Sequence, residues 1–267
     1  MKKTLLLAGI FMLNMVFQAC NTVPVTGRKQ VSLLPESDLI TYSNLNYSEF
    51  IKSHQLSTNA AQTTMVKKVG KKISAAVEEF LKSKGKLDLL QGYEWEYNLV
   101  ESPEPNAWCM PGGKIVVYTG ILPYTQNEAG LAVVMGHEVA HAVARHGNER
   151  MSHQIIVEYG AGVLGTFIND KPEETQQLYQ MAYGLGAQYG MMLPYSRMHE
   201  SEADKMGLIF MAIAGYDPHQ AIAFWERMAK SGGQKPPEFM STHPSDQSRI
   251  QALKEFMPEA MKYYKNN

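Results

Sequence analysis

Two histidines four residues apart, His137 and His141, flank Glu138 in the apolar stretch LAVVMGHEVAHAVARHG over 131–147. Leu131, Val133, Val134, Val139, Ala140, Ala142, Val143 and Ala144 make this segment apolar on nearly every face, which predicts a buried helix. Burying three polar groups without a shared partner is costly, so their chemistry has to account for them. On a helix, residues four apart share a face at about 5–6 Å between Cβ atoms, close enough for both imidazoles to reach one zinc ion at about 2.0–2.1 Å. Glu138 falls one residue round, beside that metal, where it can take a proton from water activated there. The spacing is H-E-x-x-H, whose chance occurrence in a chain of this length is on the order of 1%.

A catalytic zinc site takes three protein ligands and keeps a position open for water. The metzincin pattern would require Gly at 144 and His at 147. The chain has Ala144 and Gly147, and His146 points about 100° away from the required direction on a helix. Downstream, SRMHESEADKMG carries Glu200 and Asp204 four apart, so a second helix can bring a carboxylate to the metal with a second acid behind it. Glu202 competes for the ligand role, and Cys109 is a weak fourth donor. In STHPSDQSRI, Pro244 follows His243 and Ser245 is placed to cap a final helix, so His243 is expected in a stiff, extended loop that can present it to a cleft. There it can donate to a developing oxyanion or occupy the open metal position.

These groups need elements to hold them. Helices are expected over 35–53 and 59–84, the second with Val66, Val69, Ile73, Val77, Phe80 and Leu81 on one face and Gly85 as its stop. Tyr93, Trp95, Tyr97 and Leu99 alternate with polar residues as in a half-buried strand; KIVVYT over 114–119 is a second, read as an edge strand that could hold an extended substrate. SPEPNAWCMPGG between them argues for irregular backbone and a turn. Helices follow over 148–168, 172–192, 196–214, 217–230 and from 245 on, with Gly147 and Gly215 where C-terminal caps would fall. The glycine-rich apolar segments IIVEYGAGVLG and MAYGLGAQYGMML are too short to span a bilayer and read as core in preference to a lid over the cleft. No internal repeat is present.

Composition is that of a globular protein, 45% hydrophobic and 19% charged over 267 residues, and the formal net charge of −1 argues against a nucleic-acid partner. Residues 1–19 differ: Lys2 and Lys3, an apolar run from Leu5 to Phe17 broken by Asn14, then Gln18-Ala19 before Cys20 read as a secretory signal peptide. They also resemble a lipoprotein signal, which would make Cys20 a lipidated N-terminus and membrane anchor. Residues 20–34, with Pro24 and Gly27, read as tether, leaving 35–267 as the folded domain.

HEVAH at 137–141 followed by ESEAD at 200–204 resembles the zinc metallopeptidases of the HtpX and CAAX prenyl protease type, gluzincins whose signature is H-E-x-x-H and then E-x-x-A-D. NAWCMPGGKIVVYTGIL from Asn106 and STHPSDQSRI from Ser241 look like the same family. PVTGRKQ after Cys20 is similar to its soluble, lipid-anchored branch, which includes BepA and LoiP. The likeness covers nearly all of 35–267; it departs from the integral-membrane members, whose spanning helices this sequence does not show, and from BepA in having no tetratricopeptide pattern.

Residue by residue, the resemblance implies zinc ligands at His137, His141 and Glu200, a general base at Glu138, and a second acid at Asp204, either proton donor or partner of a ligand. It also puts His243 close to the metal. The fold implied is α+β, mostly helical, with a small and mainly antiparallel sheet beside the H-E-x-x-H helix. The function implied is endoproteolysis of unfolded or damaged envelope proteins on the periplasmic side of the outer membrane. The alternative is a non-catalytic, zinc-stabilised lipoprotein chaperone. A catalytic zinc site is favoured over a structural one because structural sites are closed by four ligands, usually rich in Cys.

Overall fold

The computed structural model describes residues 20–188, 192–231, 239, 243 and 247–265. The signal peptide expected over 1–19, the side chain of Cys20 and the cap expected at Ser245 lie outside the described residues. The chain divides into two compact units, one formed by the N-terminal segment to Pro35 with His146–Met198, the other by Glu36–Arg145 with His199–Asn267.

In the first unit, β1 (Cys20–Thr22) pairs antiparallel with β2 (Lys29–Val31) around Gly27, whose φ of 68° suits a residue without a side chain. The stretch expected as tether, 20–34, thus contains a short hairpin. Three-residue strands are too short to show alternation, and side-chain bonds secure them instead. Arg28 grips Glu149 with two bonds of 2.7 Å, the Ser152 hydroxyl accepts from Leu33 N at 2.8 Å, and Asn148 Nδ2 donates to Leu34 O at 2.9 Å. These partners lie on α5 (His146–Ile168), which packs against α6 (Glu173–Ala187); Tyr183 Oη donates to Val157 O at 3.0 Å. Ile155, Tyr159, Val163 and Phe167 share a face of α5 at i+4 spacing and are exposed, Phe167 by 78%. The described parts of the glycine-rich segments, 155–165 and 181–188, therefore lie at the surface and not in the core. Gly147 lies inside α5; the turn is made by Arg145, at φ 57°.

The second unit holds α1 (Glu36–Ser53), α2 (Ala60–Ser83), β3 (Glu96–Val100), β4 (Ala107–Met110), β5 (Lys114–Tyr118), the short α3 (Leu122–Thr125), α4 (Glu128–Val143), the part of α7 (Leu193–Ile213) from His199, α8 (Gln220–Ser231) and α9 (Gln247–Met261). Helix α2 buries the expected face, Val66 through Leu81, and Asn59 caps it by accepting from Gln62 N at 3.1 Å. It packs on α4 and β3.

The sheet order is β3-β5-β4, with β3 parallel and β4 antiparallel to β5, so the sheet is mixed and not mainly antiparallel. β5 is thus the central strand and not an edge. Its continuous apolar run marks a strand covered on both faces, whereas alternation marks one covered on a single face. The expected irregular stretch contains β4, joined to β5 through Gly112 and Gly113 at φ 91° and 83°. Pro111, which cannot donate to a ladder, falls just past this edge strand. β4 lies against α4, and α8 against α4 and α9. Among the described residues, no helix is long and apolar enough to cross a membrane.

Candidate metal centre

Helix α4 begins at a cap in which Asn127 Oδ1 accepts from Gly130 N at 2.9 Å, and it is buried from Gly130 to Val143 except at His141. That fixes its rotation, so His137 and His141 project together. The second acid-bearing helix reaches them through a glycine contact. A Cβ built on Gly207 of α7 would stand 3.0 Å from His137 N, and one on Gly136 would stand 3.1 Å from Gly207 O. The two backbones touch where side chains would hold them apart, one turn of α7 beyond Asp204.

Four donor atoms converge. His137 Nε2 lies 3.0 Å from His141 Nε2 and 3.0 Å from His243 Nδ1. Glu200 Oε2 is 3.3 Å from His137 Nε2 and 2.9 Å from His243 Nδ1, and its Oε1 is 3.3 Å from His141 Nε2. Atoms bound to one ion at about 2.0–2.1 Å in a tetrahedron stand roughly 3.3–3.4 Å apart, so this cluster fits a shared metal. His137, His141, Glu200 and His243 are the group of potential ligands found among the described residues, all within 4.8 Å of one another. Glu202 is buried but outside that group, and so are Cys109 and His146. The fourth residue of that group is His243 and not Cys109.

Glu138 is 5% exposed, and its Oε1 is buried with no hydrogen-bond partner. His243 Nε2 approaches it to 3.4 Å without the alignment of a bond. Burial pushes the Glu138 carboxyl up to about 7. A buried carboxyl with a bare oxygen beside four converging donors is what a proton acceptor for metal-activated water requires, and so the residues present fit a metal.

Asp204 faces the other nitrogen of His137, Oδ1 to Nδ1 at 3.0 Å, which is the position of a partner to a ligand rather than of a ligand. Arg249 on α9 holds the same carboxylate through Nε–Oδ2 and Nη2–Oδ1 bonds of 2.7 Å each. Burial alone would raise Asp204, but the Arg249 guanidinium and His137 outweigh it and leave the group below its ordinary range. Burial likewise opposes ionisation of Glu200, yet bonds to His137, His141 and His243 hold it far below that range. Burial draws His137 down, and the Asp204 and Glu200 carboxylates reverse the sign and raise it.

Trp225 of α8 and Phe239 wall the site, with ring centroids 5.7 and 6.4 Å from that of His137, and Phe239 lies 4.7 Å from His243. Sequence reasoning missed Trp225, Phe239 and Arg249. A signal existed for Arg249, which stands six residues past His243 in the stretch singled out above.

A histidine pair on one buried helix, a carboxylate from a second and Glu138 beside them match the H-E-x-x-H pattern of metallopeptidases. Residues 67–257 match peptidase family M48, and the chain belongs to that family. It is 37% identical over 190 residues to the mitochondrial metalloendopeptidase OMA1 of Schizosaccharomyces pombe, covering 70% of this chain and 53% of that protein. It is 29% identical over 263 residues to the human mitochondrial metalloendopeptidase OMA1, covering 95% and 49%. To the beta-barrel assembly-enhancing protease of Escherichia coli K12 it is 28% identical over 160 residues, covering 58% and 33%. The chain thus spans about half or less of the curated relatives it matches.

Proposed function

We propose that this chain is a zinc metalloendopeptidase of the bacterial envelope, anchored by a lipid on Cys20 to the periplasmic side of the outer membrane, that cuts unfolded or damaged envelope proteins. Zinc would be held by His137, His141 and Glu200 and would polarise the scissile carbonyl while lowering the pKa of water. Glu138 takes the proton of that water and returns it to the leaving amine. Asp204 keeps His137 oriented from behind. β4, whose outer edge has no strand partner among the described residues, is the strand on which an extended substrate can add. Of the two roles for His243, the geometry favours the one at the metal, because its Nδ1 stands with the ligand atoms. Substrate then has to displace it. The envelope assignment rests on the lipoprotein-like residues 1–20 and on likeness to a protease named for β-barrel assembly.

The observation that carries proteolysis over the chaperone alternative is the buried Oε1 of Glu138, which accepts no hydrogen bond and has only His243 Nε2 near it at 3.4 Å, since a purely structural zinc site has no use for such a carboxyl beside it. Glu138→Gln should abolish casein hydrolysis while zinc stays near one ion per chain. Retained hydrolysis would refute the role, and loss of zinc would make Glu138 a ligand. If the unaltered chain binds zinc without cutting casein, the chaperone reading stands. In the same assay His243→Ala should raise hydrolysis at fixed zinc occupancy; a fall of about 10²-fold would make it the oxyanion donor instead.

A further inference from the structure

Arg249 is brought in by neither motif that defines the metal site. It sits in the first turn of α9 and is 8% exposed. Its fork spans both oxygens of Asp204 at 2.7 Å, and its guanidinium carbon lies 3.5 Å from the centroid of the Trp225 ring. Two-point pairing fixes the plane of the carboxylate, and the ring face fixes the plane of the fork. Asp204 Oδ1 then serves two donors, Arg249 Nη2 and His137 Nδ1, the latter at 3.0 Å. With Nδ1 carrying its hydrogen, Nε2 keeps a lone pair, and this is the atom that meets His141 and Glu200. A third guanidinium nitrogen, Nη1, is 3.3 Å from Glu200 Oε2, so one cation touches both acids contributed by α7.

We propose that Arg249 is a positioning residue for the metal centre: clamped on Trp225, it orients Asp204 and thereby fixes the tautomer and ring direction of His137. Lysine at 249 would keep the charge and lose both the fork and the stack. The bland alternative is an ion pair that merely pins α9 to α7. The two differ in whether the effect of Arg249 passes through Asp204 to the metal. The inference rests on the metallopeptidase reading above for the identity of the ion, but its test uses no substrate and so fails separately from the Glu138→Gln experiment.

The test is the affinity of the full chain for zinc alone, by competition with a chromogenic chelator. Arg249→Met should weaken zinc binding by roughly 10- to 100-fold, as loss of a ligand's partner does, and Arg249→Lys should recover only part of that. In an Asp204→Asn background, the further loss from Arg249→Met should shrink to about 3-fold or less, because the path through Asp204 is cut and only the longer contacts of Arg249 remain, to Glu200 Oε2 at 3.3 Å and to His137 Nδ1 and Nε2 at 3.4 and 3.5 Å. Imidazole nitrogen NMR, at a pH where His137 is neutral, should show the ring protonated at Nδ1 in the unaltered chain and in a mixture of tautomers in Arg249→Met. Zinc affinity of Arg249→Met within about 2-fold of the unaltered chain overturns the proposal, and so does an undiminished loss in the Asp204→Asn background. Should Arg249→Met fail to fold, Arg249→Lys and the Asp204→Asn/Arg249→Met double variant, which buries no unpaired charge, carry the same comparison.

Discussion

Helix α4 and the second half of α5 are both rich in Ala, Gly, Val and Leu, yet they meet water differently, and α6 beside α5 shares its exposure. Along α4 nearly every residue is buried, including the acidic Glu138, because α2, β4 and α8 all pack against it. On α5 and α6, Ile155, Tyr159, Phe167, Leu178, Tyr179 and Met181 are all exposed. Apolar composition therefore did not decide burial; the number of covering elements did. The functional consequence follows directly. Only an enclosed helix can hold imidazoles and carboxylates in a low dielectric, where each bond is strong and each unpaired group is costly.

The largest expected effect tests which carboxylate the enclosed region uses. Glu200→Ala should drop bound metal to below about a tenth of an equivalent, with a fall in melting temperature as metal-linked stability is lost. Glu202→Ala should leave metal content unchanged. If metal analysis gives the reverse pattern, the register of α7 over the site is wrong.

Next comes the contrast itself. Leu131→Ala, at a residue 0% exposed on α4, should cost about 2–5 kcal/mol in urea unfolding. Phe167→Ala, at a residue 78% exposed on α5, should change stability by about 0.5 kcal/mol or less. Equal losses at the two positions would mean that the face of α5 is covered in solution, and the comparison would fail.

The smallest effect lies at the rim of α4. Lys68 Nζ is 2.7 Å from Glu128 Oε1, and the Lys68 bond is the main cause of a lowered Glu128 pKa. A lowered folded-state pKa means stability that is present above the ordinary value of 4.5 and lost as pH falls through the lowered one. Both side chains are at least a third exposed, so Lys68→Ala should cost only about 0–1 kcal/mol at pH 7. That difference should shrink in 1 M salt and disappear in acid. A cost that persists at low pH would locate the effect in packing of the lysine stem.

Legibility in the sequence followed how local each signal was. Helix α2, with its face from Val66 to Leu81 and its Asn59 cap, was readable because its period and start signal lie within one element. The pairing of His137 with His141 came from spacing and the choice of Glu200 over Glu202 from resemblance, and these three groups stand with His243 in one cluster that could hold a metal. The hairpin β1–β2 was hidden because three-residue strands carry no pattern and Arg28 finds Glu149 far along the chain.

By itself, then, the sequence determined the periodic helices, the central chemistry of H-E-x-x-H and the second acidic helix, since helical spacing alone presents such residues on one side. Only the tertiary structure decided that β5 is central, that α5 and α6 face water, that Gly136 and Gly207 let two backbones meet, and that Arg249 closes on Asp204. Each of those depends on which distant segment fills the neighbouring space. Close packing fixes that choice, and no local period encodes it.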